Sequence, residues 1–125
     1  MRSLALPLVA AALLAACGSE TPATAPSQTN LLVRVDQDGP KGNQPAKSTR
    51  VRCPGAHCAA TTGLGPSAFA PVPKGVACSM IYGGPETARV KGTLRGQTVD
   101  ASFSRTDGCQ TSRWQKVQKL LAAAR

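Results

Sequence analysis

The sequence predicts a small α+β domain stapled by two disulfides, and three observations predict it. Residues between Ala88 and Phe103 alternate apolar and polar on either side of an Arg95-Gly96 interruption. Trp114, Val117, Leu120 and Leu121 recur at helical spacing. Four cysteines, Cys53, Cys58, Cys78 and Cys109, remain once Cys17 is assigned to an export signal.

The chain starts MRSLALPLVAAALLAACGSE. Arg2 is followed by an apolar run from Leu4 to Ala16, and small residues precede Cys17. This is the layout of a secretory signal, too short for a spanning helix. Leu14-Ala15-Ala16-Cys17 resembles the bacterial lipobox, which implies cleavage ahead of Cys17 and a lipid on its sulfur. Two or more acyl chains give stable anchoring where one is marginal. Residues 1–16 are thus expected to be a lipoprotein signal peptide, and residues 17–30 the lipidated Cys17 followed by a disordered tether. The tether, GSETPATAPSQTN, has little apolar surface to bury. At about 5–6 Å × √n it holds the folded part on the order of 20 Å from the membrane. The expected location is the bacterial cell envelope, on the outer face of the membrane.

Residues 31–125 have room for one domain. Leu31 to Val35 is β-prone, and Asp36 to Asn43 (DQDGPKGN) is turn chemistry. Thr49-Arg50-Val51-Arg52 alternates into Cys53 as a second strand. Ala59 to Ala70 is small and Gly-broken, with room for one short helix. Val76 to Tyr82 is apolar and is stopped by Gly83-Gly84-Pro85. Ala88, Val90 and Leu94, then Val99, Ala101 and Phe103, alternate with polar neighbours as a β-hairpin with one buried and one wet face. The C-terminal helix is expected around Trp114–Leu121, capped by Thr111 or Ser112.

Phe69, Tyr82, Phe103 and Trp114 are the only aromatics, so the core is thin and disulfides are its natural supplement. An even cysteine count in an exported chain implies two bridges, and four cysteines allow three pairings. Spacing does not choose between them. A four-thiolate zinc site is the competing use, disfavoured by the absence of a CxxC pair. The formal charge is +9, and loss of Arg2 with the signal leaves +8. Basic residues are spread out, with no interleaved aromatics, which argues against specific nucleic-acid binding. His57 is the only histidine, carboxylates are few and scattered, and no phosphate-binding loop or metal cluster stands out. No enzyme and no cofactor is expected.

VACSMIYGGPETARVKGTLRGQTVDASFSRTDGC, from Val76 to Cys109, resembles the subtilisin-inhibitor-like family of bacterial serine-protease inhibitors. The resemblance lies in Cys78, Met80, Tyr82, Pro85, Val90, Gly92, Gly96, Val99, Phe103 and Cys109. Leu31–Val35 and Val51-Arg52-Cys53 fit the N-terminal half. The resemblance implies a largely antiparallel sheet with one or two helices on one face. It also implies the bridges Cys53–Cys58 and Cys78–Cys109. The reactive bond is then Met80-Ile81, with Ala77, Cys78, Ser79 and Tyr82 as further protease contacts. The implied partner is an extracellular subtilisin-like serine protease, with the homodimer common in the family as a further expectation. A non-inhibitory envelope binding module on the same fold is the alternative.

The chain departs from the family in several places. Only Pro54–His57 separate the first two cysteines of the domain. Gly83-Gly84-Pro85 replaces the usual Asp-Pro, and Ala77 is small where subtilisins prefer a large apolar residue. Asp107 stands nearest the place of a loop-supporting Asn. The end of the chain looks helical where the family has a strand.

Overall fold

A computed structural model describes residues 28–125. The expected signal peptide, Cys17 and nearly all of the expected tether lie outside the described residues.

Strands β1 (Thr29–Asp36), β2 (Lys47–Cys53), β3 (Thr87–Leu94) and β4 (Gln97–Phe103) form one sheet in the order β2-β1-β3-β4, antiparallel throughout. The alternation of the sequence fixes its two faces. Leu31, Val33, Val35, Val51, Val90, Val99, Ala101 and Phe103 share the buried face. Register aligns them across the sheet: Val33 faces Val90, which faces Ala101.

β1 starts at Thr29, so Thr29 and Asn30 belong to the sheet and not to the tether. The reason is a polar group satisfied inside. Thr29 is 2% exposed, and its hydroxyl accepts the Arg95 amide at 3.0 Å. The Gln28 carbonyl accepts the Gly96 amide at 3.3 Å. At Gly92 (φ +136°) a side chain would run into the Asn30 carbonyl oxygen, so β1 and β3 meet over a bare backbone.

Two helices, α1 (Gly108–Lys116) and α2 (Gln118–Ala122), cover the buried face. They contribute Trp114, Leu120 and Leu121 to the core, joined by Val117 between them and Ala124 just beyond. The expected cap at Thr111 or Ser112 is corrected to Asp107, whose carboxylate accepts the Gln110 amide at 2.9 Å. The apolar stripe marks only the packed half of α1, because its first turn is polar. Val117 leaves helical geometry (φ −108°, ψ 11°) and divides the helix in two. Residues 59–70 hold two short 3-10 turns, Cys58–Thr61 and Pro66–Phe69, in place of one helix. Phe69 of the second meets Phe103 edge-on at 6.4 Å between ring centres.

Of the three pairings open to them, the cysteines form Cys53–Cys58 and Cys78–Cys109. No thiolate among them is left for zinc. Among the described residues, the core and both bridges lie between Thr29 and Ala124. The Arg95–Gly96 turn and the first bridge sit at the pole where β1 starts. β3 starts and β4 ends at the opposite pole. The eight residues of β1 separate the poles by on the order of 24 Å. No helix among the described residues is long and apolar enough to cross a membrane.

Candidate functional site: a clamped apolar loop

Between the second 3-10 turn and β3, residues 71–86 form no helix or strand. They cross the pole opposite the start of β1. Met80 is 89% exposed, Ile81 72% and Tyr82 62%. A large apolar side chain gains about 1.5–3 kcal/mol on burial, so three consecutive ones left in water need a structural cause. The cause is a set of constraints on either side of them.

On the N-terminal side, Cys78 is bridged to Cys109 in the first turn of α1, with Cα atoms 5.3 Å apart. The Gly108 amide donates to the Ser79 carbonyl at 2.9 Å. Gly108 is suited to this close approach, since a side chain there would strike the Ser79 hydroxyl. Asp107 caps α1 and makes no hydrogen bond to the loop. Its carboxylate lies in a group with the Cys78 and Cys109 sulfurs, but a disulfide has no thiolate to bind a metal. The direct loop support comes from the neighbouring amide.

On the C-terminal side, the Gly83 amide donates to the Arg105 carbonyl at 2.6 Å. A Cβ on Gly83 would come within 2.8 Å of the Thr111 hydroxyl and 3.2 Å of Arg105. That tightness accounts for glycine at this position. Arg105 reaches Glu86 at 2.8 Å in a partly buried ion pair. The turn between β1 and β2 closes the seat: a side chain on Gly39 (φ +74°) would run into the Pro85 carbonyl.

Between these clamps, Met80, Ile81 and Tyr82 make no backbone hydrogen bond to the described residues. Ala77 and Ser79 are exposed as well, while Cys78 is half-buried at its bridge. The six expected contact positions thus form one continuous surface. Cys53 and Cys58 lie near the other pole and take no part in it.

The Gly108 amide, the Arg105 carbonyl and the Gly39 seat are not apparent in the sequence. The available signal was proximity in sequence, since Gly108 immediately precedes the half-cystine Cys109 and Arg105 stands four residues before it. The remaining candidates for chemistry are dispersed. His57 is exposed in the Cys53–Cys58 loop. Asp100 pairs with Arg89 at 3.1 Å, and Asp38 accepts the amides of Asn43 and Gln44 at 2.7 and 2.9 Å. Burial against the domain pushes the Arg113 guanidinium below its ordinary pKa; it holds the carbonyls of Ala70 and Ser102.

Comparisons with protein families, curated proteins and solved structures find no match.

Proposed function

We propose that this chain is an inhibitor of subtilisin- or chymotrypsin-like serine proteases, held by a lipid on Cys17 at the outer face of a bacterial membrane and related to the subtilisin-inhibitor-like family. One observation carries the reading: Met80 projects into solvent from a segment clamped on both sides. An apolar side chain with no core role, on a backbone with unused hydrogen-bonding groups, has the attributes of a presented substrate.

In this reading Met80 is P1, Ser79 P2, Cys78 P3 and Ala77 P4; Ile81 is P1′ and Tyr82 P2′. The open backbone pairs with the protease cleft like an added strand. The clamps order the loop beforehand, so binding loses little conformational entropy. Met80 is unbranched and enters an apolar S1 pocket. Ile81 is stiff at Cβ and limits motion on the primed side. If the Met80-Ile81 bond is cut, the Gly83 and Pro85 contacts keep the new amine beside the acyl-enzyme. Re-forming the peptide then competes with hydrolysis through proximity.

The test is titration of residues 28–125 against subtilisin and chymotrypsin, beside Met80→Asp. Stoichiometric inhibition is expected. The aspartate should weaken it by at least about a hundredfold, because its carboxylate would be desolvated in an apolar pocket. Steady digestion of the parent domain, or indifference to it at micromolar concentration, overturns the reading.

A further inference from the structure

The sheet has a second face, and no helix or 3-10 turn among the described residues covers it. Both helices and both 3-10 turns contribute to the core on the other side. The open face carries Arg50 and Arg52 from β2, Arg34 from β1, and Arg89 and Lys91 from β3. All five are exposed. Two acids share this face: Asp100, which faces Lys91 in register and is paired with Arg89, and Asp36 at the end of β1. Arg34, Arg50, Arg52 and Lys91 have no carboxylate partner among the described residues.

Register places these charges in a compact patch. Leu32 faces Arg50 on one side and Lys91 on the other, and Arg34 faces Arg89. Like charges directly opposed across strands are unfavourable for the sheet. Asp100 offsets part of that repulsion through Arg89, the remaining cations exceed it, and an anionic surface would supply the balance.

We infer that this face docks on a bilayer containing anionic phospholipid. The positive charges are spread over a sheet face with no aromatic side chain, so it lacks the stacking platform used for nucleotides. A second copy would oppose the same cations to themselves. Juxtamembrane basic residues gain about fivefold in affinity each near an anionic leaflet. One further support rests on the anchor assigned above: a lipid on Cys17 keeps the domain within reach of the headgroups. The clamped loop stays free in this pose. Its partner Cys109 is on α1, which packs on the opposite face of the sheet.

The experiment uses lipid-free residues 28–125 and co-sedimentation with vesicles of phosphatidylcholine, pure or mixed with phosphatidylglycerol. Binding is expected only to the mixed vesicles and is expected to be lost in high salt. Arg34→Gln with Lys91→Gln should weaken it on the order of twentyfold. Lys116→Gln with Lys119→Gln, the same charge change on the helical side, should leave it nearly unchanged. Met80→Asp should bind vesicles like the parent, so failure of inhibition and failure of docking are read separately. Equal weakening by both double variants would reduce the effect to net charge and overturn the proposal. So would absence of binding to the mixed vesicles, or face-dependent binding to single-stranded DNA in place of vesicles.

Discussion

Gly108 and Ser79 are joined by one hydrogen bond of 2.9 Å, from the amide of the first residue of α1 to the carbonyl of the residue before Met80. Gly108→Pro removes that donor, and its Cβ also crowds the Ser79 hydroxyl, the free end of a short exposed side chain. Proline is tolerated at the first position of a helix, and Asp107 is already extended (φ −151°, ψ 178°), as a residue before proline should be. The ring places carbon where the donor was and forces the Ser79 carbonyl away. The melting temperature should stay within about 4 °C of the parent. Protease inhibition should weaken by at least about tenfold as the loop loses preorganisation, measured by titration.

The two disulfides should separate by what they protect. Replacing Cys78 and Cys109 with serine opens a closure of 31 residues in sequence separation, a loss of roughly 3–4 kcal/mol in the chain-entropy model. Replacing Cys53 and Cys58 opens a separation of 5 and should lose roughly 2 kcal/mol. Urea midpoints check both values. Cleavage at Met80-Ile81 should accelerate in the first variant only.

Gly92→Ala should be among the most damaging single substitutions. Its φ of +136° disfavours any side chain, and the obstacle is the Asn30 backbone, which cannot rotate away. A loss of roughly 2–4 kcal/mol is expected by denaturant unfolding. Gly65→Ala is the matched control. Nothing lies within 4 Å of its Cβ position, and its φ of −116° suits any residue, so a change within about 0.5 kcal/mol is expected.

The β1–β2 turn should loosen in acid. The Gln44 amide, with help from Asn43, holds the Asp38 carboxyl below its ordinary pKa of 3.8. A carboxyl depressed by folding stabilises above its unfolded pKa, and that contribution is lost as pH falls through the folded one. The Asn43 and Gln44 amide resonances should therefore titrate together with a midpoint below 3.8. Asp38→Asn should abolish that titration. A midpoint at or above the ordinary value would contradict the assignment.

How much was legible in the sequence depended on whether a residue's role was local. The hairpin from Ala88 to Phe103 was readable because one face is buried and the other wet. Thr29 was not, because its polarity suggested a tether while its partner, the Arg95 amide, is remote in sequence. The start of α1 was hidden because its first turn carries no apolar stripe. Only a cap and a half-cystine mark it. Met80 is the instructive case. Hydropathy alone places Val76–Tyr82 inside the core, and the cues that Met80 is presented outward were Cys78 before it, Tyr82 after it and the Gly83-Gly84-Pro85 stop. The cations of the open sheet face could be counted in the sequence. Their clustering depends on strand order, which spacing does not reveal.

Strand order also decides what a nick would do. Breaking the peptide between Met80 and Ile81 leaves one fragment with β1 and β2 and another with β3 and β4. The seam between the fragments is the β1–β3 ladder at the centre of the sheet, with register pairs running from Asn30–Thr93 to Asp36–Thr87. The Cys78–Cys109 bridge stitches the same two fragments covalently. A severed molecule is therefore a complemented pair that migrates as one species until reduced and denatured.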